Sequence, residues 1–123
     1  METFNYPNAE KILGEKKIAL RKGDGHIVLA DCRASTDIRV WTTQSADGSF
    51  CFKVTGDGKS GYLSMEIPKV YYIQTGDYAV KADVVSEGVT KTVNMGKEGE
   101  AYVGVGANPP GKEASLIELR VMG

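Results

Sequence analysis

The feature that most limits how this chain can fold is a two-residue alternation of apolar and polar side chains from residue 17 onward. In GYLSMEIP, Leu63, Met65 and Ile67 share one face, with Tyr62, Ser64 and Glu66 on the other. DYAVKADVV sets Tyr78, Val80, Ala82 and Val84 against Ala79, Lys81 and Asp83. ASLIELRV groups Ile117, Leu119 and Val121 opposite Leu116, Glu118 and Arg120. Strands with one buried and one wet face read this way, whereas strands of a parallel sheet read as continuous apolar runs.

Turn signals separate these stretches at short intervals: GDG at 23–25, ADG at 46–48, GDG at 56–58, TGD at 75–77, SEG at 86–88 and NPPG at 108–111. Asp-Gly supplies the positive φ angles that tight hairpins require. The pattern predicts an all-β fold, an antiparallel β-sandwich of jelly-roll or Ig-like type with about eight to ten short strands. One short helix fits NAEKILGEK, with Asn8 as N-cap and Gly14 as terminator. Residues 1–15 then form an N-terminal arm or short helix, and residues 16–123 a single domain. The arm carries Phe4 and Tyr6, an investment that suits docking on its own domain or on a partner; a frayed terminus is the alternative.

With 123 residues there is room for one domain and one real core. A net charge of -1, with basic residues scattered, gives no general attraction to nucleic acid or to an anionic membrane. No apolar run approaches the ~20 residues that span a bilayer. METFNYPNAEK lacks the basic and apolar regions of a signal peptide, so any leader is absent or already removed. Cys32 and Cys51 match no zinc spacing and, with His26 alone nearby, cannot supply four ligands. A disulfide between them would stabilise by ~3 kcal/mol and would place the protein outside the cell; two buried free thiols in a cytosolic protein are the alternative.

RKGDGHIVLADC gathers the chain's single histidine, two aspartates and Cys32. It resembles a catalytic cluster, but Gly23-Asp24-Gly25 has hairpin-turn chemistry and His26 then opens the next strand. A strand running from Asp24 to Asp31 would hold the two carboxylates ~23 Å apart, so both cannot serve His26. No G-x-S-x-G elbow accompanies it. GVGAN begins like a dinucleotide fingerprint, yet Pro-Pro follows where a helix must start. The Asp-Gly turns lack the ligand spacing of a calcium loop. Glu66 and Glu118 sit on wet faces, where solvation explains them better than acid-base work. No catalytic residue, cofactor or metal site is expected.

The aromatic residues say more. In DIRVWTT, Ile38 and Val40 share one face, which puts Trp41 with Arg39 and Thr43 on the other. Tyr62 shares the polar face of its strand with Ser64 and Glu66. An aromatic outside the core is a candidate for stacking on a sugar ring or anchoring a protein; Trp41 under a covered face is the alternative. KVYYIQ places Tyr71 and Tyr72 on opposite faces, one of them near the surface. The candidate binding residues are Trp41, Arg39, Tyr62, Glu66, Phe4 and Tyr6.

Two stretches, ALRKGDGHIVLADC and GYLSMEIPKVYYIQTGDYAVKADVV, with the closing ASLIELRV, resemble small secreted β-proteins of actinobacteria, most of unassigned function. The resemblance covers most of residues 11–121 and carries no catalytic content. Some small secreted proteins of those organisms act as adaptor subunits of multi-protein toxin particles, so it implies secretion and a protein partner. The leading expectation is a non-enzymatic secreted module that binds another protein as an adaptor or inhibitor subunit. It would use a strand edge, the aromatic arm or the Trp41 face. A carbohydrate-binding module using the exposed aromatics is the alternative, and a hydrolase with an unrecognised site the third reading.

Overall fold

The computed structural model describes residues 3–35, 37–43, 48–56, 60–107 and 111–122. Along the chain come β1 (Phe4–Asn5), α1 (Ala9–Lys16), β2 (Ala19–Gly23), β3 (Ile27–Ala30), β4 (Ile38–Thr42), β5 (Ser49–Val54), β6 (Gly61–Thr75), β7 (Val80–Ser86), β8 (Val89–Met95), β9 (Glu100–Tyr102), a 3₁₀ turn (Gly104–Gly106) and β10 (Ala114–Val121). Every strand pair is antiparallel. The main hydrogen-bonded path runs β3-β5-β4-β6-β10-β7-β8, with β2 and β9 also on β6 and β1 on β2. The fold is an all-β, sandwich-like sheet with one short helix.

The long strand β6 belongs to both halves. Its first part pairs with β2 and β10, and its second part with β4 and β9. The change of neighbours falls at Val70, which pairs with both Ala114 and Thr42. Just before it, Pro68 has no N–H to give a ladder, a residue that sheets tolerate at bulges. Lys69 takes φ 58, in the left-handed region. The carbonyl of Pro68 accepts from Thr42 Oγ1 at 2.7 Å, and that of Lys69 accepts from the Thr43 N–H at 3.2 Å. The buried positions consequently step from Leu63, Met65 and Ile67 to Val70 and then Ile73, three apart at each irregularity. Two register shifts keep one strand facing one core through a change of direction.

That core contains Ile18, Ile38, Phe52, Leu63, Met65, Ile73, Leu116 and Leu119, all fully buried. Each contributes ~1.5–3 kcal/mol of transfer free energy. Alternation holds on β7, where Val80, Ala82 and Val84 are buried. On β10 it fails. Leu116, Leu119 and Val121 face the core while Ile117 is only half-buried. Leu116 and Glu118 lie opposite the adjacent residues Val84 and Asp83, so Ile117 is the extra residue of a bulge and the parity flips there.

Local signals were partly reassigned by tertiary context. Helix α1 starts after Asn8, but Asn8 has φ 60 and its side chain makes no cap bond. Gly14 lies inside the helix; the stop is Lys17, at φ 62, whose N–H donates to the Leu13 carbonyl. GDG at 23–25 is not a hairpin, because β2 pairs with β6 and β3 with β5. TGD at 75–77 likewise links strands that do not pair. SEG is a hairpin: Glu87 and Gly88 sit at φ 53 and 77 between β7 and β8. ADG at 46–48, GDG at 56–58 and NPPG at 108–111 fall partly outside the described residues. The arm docks on its own domain, with β1 on β2 and the Tyr6 hydroxyl accepting from the Leu29 N–H of edge strand β3 at 2.8 Å.

Because Lys69 occupies a conformation that costs an L-residue ~1 kcal/mol and glycine almost nothing, Lys69→Gly should hold or raise stability by up to that amount in denaturant unfolding. Lys69→Val, β-branched at the same φ, should lower it by at least as much.

Candidate functional site

Strands β4, β6 and β9 present two parallel rows of side chains on the outer face of their half of the sheet. Register aligns Trp41 with Tyr72 and Tyr72 with Tyr102; one step along, Arg39 aligns with Gln74 and Gln74 with Glu100. Strand alternation turns all six outward, while Ile38, Val40, Ile73 and Val103 point to the core. The first row is aromatic. Ring centroids of Trp41 and Tyr72 are 6.4 Å apart and those of Tyr72 and Tyr102 4.7 Å, with planes tilted by 37° and 31°. The second row is polar: a guanidinium, an amide and a carboxylate.

The rows are cross-braced. The Tyr72 hydroxyl donates a short hydrogen bond to the Glu100 carboxylate. That bond, then burial, then the negative charge of Glu100 push the Tyr72 phenol from its ordinary 10.0 up to about 12. At the other end the Arg39 guanidinium lies over the indole of Trp41, 4.1 Å from the ring centroid, a cation–π contact. Arg39 Nε donates to Ser49 Oγ at 3.1 Å. Ser49 Oγ in turn lies 3.8 Å from Cys32 Sγ. Cys32 is joined to Cys51, which sits directly across from Arg39 on β5. The disulfide thus borders the platform and backs Ser49, which holds Arg39. Trp41 is half-buried under this arrangement, and its indole Nε1 is enclosed without a hydrogen-bond partner among the described residues. Tyr102, 60% exposed, is the open end of the aromatic row.

The sequence-derived candidates do not form one site. Arg39 and Trp41 meet on the platform. Tyr62 lies in the other half of the sheet under the Arg120 guanidinium, 4.7 Å from its ring centroid, and Glu66 forms an exposed 2.9 Å ion pair with Arg21. Glu118 holds Arg120 with contacts of 3.1 and 3.3 Å and raises its guanidinium pKa. Phe4 is exposed on the arm, and Tyr6 is spent inside the molecule on Leu29. Tyr71 and Tyr72 are both half-buried instead of one in and one out, since Tyr71 is the extra residue where Trp41 pairs with Tyr72 but Thr42 with Val70. Tyr102, Gln74 and Glu100 were not singled out in sequence. The alternation of Glu100 and Tyr102 is only three residues long, and nothing local says that it pairs with β6.

The RKGDGHIVLADC cluster is a turn. Asp24 Oδ1 accepts the N–H groups of His26 at 3.0 Å and Tyr62 at 3.1 Å, which fixes the crossing from β2 to β3. Asp31 instead accepts the Arg33 N–H at 2.8 Å and starts the turn after β3. The His26 ring packs against Gly56, where a β-carbon would come within 3.1 Å of it. Among the described residues no three His, Cys, Asp or Glu side chains are grouped to hold a metal ion.

Fold and site together define a small antiparallel β-sandwich with an aromatic platform on one outer face. Among solved structures the fold, and only the fold, is similar to that of an antifungal protein from Streptomyces tendae, with a TM-score of 0.55 and 18% identity over 77% of this chain and 98% of that one. The likeness is one of fold, and it agrees with the sequence resemblance to small actinobacterial β-proteins. No family model matches the chain, and no curated protein does.

The titration of Tyr72 checks the brace. Its folded pKa is raised, so the bond to Glu100 stabilises fully below pH 10 and is lost as pH rises through about 12. Phenolate absorbance should show one tyrosine ionising near 12, and Glu100→Gln should return it toward the ordinary value.

Proposed function

We propose that the protein is a non-enzymatic carbohydrate-binding module, secreted, that seats a glycan on the Trp41–Tyr72–Tyr102 row. The carrying observation is the pairing of an aromatic row with a parallel polar row at cross-strand spacing. A pyranose ring has an apolar C–H face that packs on an aromatic and hydroxyl edges that need donors and acceptors. Arg39, Gln74 and Glu100 supply both kinds beside the rings. The disulfide supports an extracellular setting. A protein partner, as adaptor or inhibitor target, is the second reading, favoured by the concentration of Arg, Trp and Tyr that marks binding hot spots.

Trp41 is the single tryptophan of the chain, so its fluorescence reports directly on the platform. Titration with soluble oligosaccharides, and pull-down on insoluble cellulose, chitin and β-1,3-glucan, should find a ligand that shifts the emission. Tyr102→Ala should then weaken binding by ~2 kcal/mol or more. Being largely exposed, it should lower unfolding stability by no more than the ~0.5–1.5 kcal/mol of its ring contact with Tyr72. Unchanged emission and no retention on any polysaccharide would reject the glycan reading. Capture of a protein that is lost in Tyr102→Ala would support the second.

A further inference from the structure

We propose that two copies of the chain associate through strand β8, joining their sheets edge to edge in antiparallel fashion about a two-fold axis at Thr92. Strand β8 ends the hydrogen-bonded path and, among the described residues, pairs with β7 alone, in unbroken register from Ser86↔Val89 to Val80↔Met95. Glu87 and Gly88 both have positive φ, the signature of a two-residue hairpin whose closing pair, Ser86 and Val89, exchanges hydrogen bonds. Alternation from that pair turns the backbone groups of Lys91 and Val93 toward β7 and those of Thr90, Thr92 and Asn94 outward. The same parity on β7 turns Lys81, Asp83 and Val85 toward β10, where they pair with Arg120, Glu118 and Ser115.

The two ends of the sheet differ. Edge strand β3 is capped, with the Tyr6 hydroxyl on the Leu29 N–H and the disulfide following its end. Among the described residues nothing caps strand β8, which has no proline and one charged residue, Lys91, and is exposed from Val89 to Thr92. These are the devices that blunt an edge, and only one is present.

Register selects a second copy as the occupant. With the axis at Thr92, Thr90 lies opposite Asn94 of the other copy and Thr92 opposite its own mate, giving about six backbone hydrogen bonds. Lys91 then faces Val93. Sliding the pairing one way sets Lys91 against Lys91, and like charges directly opposite are destabilising. Sliding it the other way leaves Thr90 unpaired. The one register that saturates the edge is also the one that separates the lysines. An edge contact alone falls short of the ~1,200 Å² of a standard interface, so association is weak and concentration-dependent.

Sedimentation velocity over a wide concentration series tests this. The wild-type protein should shift from monomer toward dimer as concentration rises. Thr92→Pro removes an N–H that faces outward and leaves the β7 ladder whole; it should stay monomeric with an unchanged circular dichroism spectrum. In a second measurement, mild oxidation should cross-link Thr92→Cys, whose mates meet at the axis, and not Thr90→Cys, whose mates are offset along the strand. A wild-type protein monomeric throughout, or Thr90→Cys cross-linking as readily as Thr92→Cys, would overturn the proposal.

Discussion

The bulge at Pro68–Lys69 is the constraint on which the rest of the architecture depends. A strand as long as β6 would normally present one face throughout and serve a single pair of neighbours. Here the missing N–H of Pro68 and the left-handed Lys69 interrupt the ladder, and Val70 pairs with Ala114, where β10 leaves off, and with Thr42, where β4 begins. The first part of β6 organises β2 and β10, and the second part organises β4 and β9. Both keep their apolar side chains in the same core because each register shift resets the parity. The two irregularities flip the parity at Val70 and flip it back at Ile73, so that Val70 rather than Lys69 fills the interior between Ile67 and Ile73.

The platform follows from that handover. Only the second part of β6 lies between β4 and β9, so Tyr72 is flanked by Trp41 on one side and Tyr102 on the other. Its neighbours are held from two directions. Glu100 takes the Tyr72 hydroxyl, and the chain from the disulfide through Ser49 to Arg39 presses on the indole. The covalent link therefore does more than close a loop; it borders the surface proposed to bind ligand and backs its cationic end.

Turn chemistry illustrates how a correct local reading leads to a wrong topology. The turn glycines do adopt positive φ, at Gly25 and Gly48 of Asp-Gly pairs and at Gly88 of SEG among others. Yet the turn at 23–25 carries the chain between strands that never pair. Asp24 is recruited across the structure to the Tyr62 N–H, so the turn is pinned to β6 rather than folded into a hairpin. Residue type restricts φ; the partner of the next strand is chosen by which edge is free.

Short-range periodicity was enough to read an all-β chain, the inward faces of β4 and β7, the placement of Arg39 and Trp41 on the face opposite Ile38 and Val40, and a pair of cysteines suited to a disulfide. Side-chain alternation is imposed by the pleat of each strand, so it is written locally. The tertiary structure decided the bulges that exchange Leu116 for Ile117 in the core, the joining of Tyr72 and Tyr102 to Trp41, and the use of Tyr6 as a cap for β3. Each of these depends on contacts between residues far apart in the chain, where register is set by the packing of the whole core rather than by any neighbouring residue.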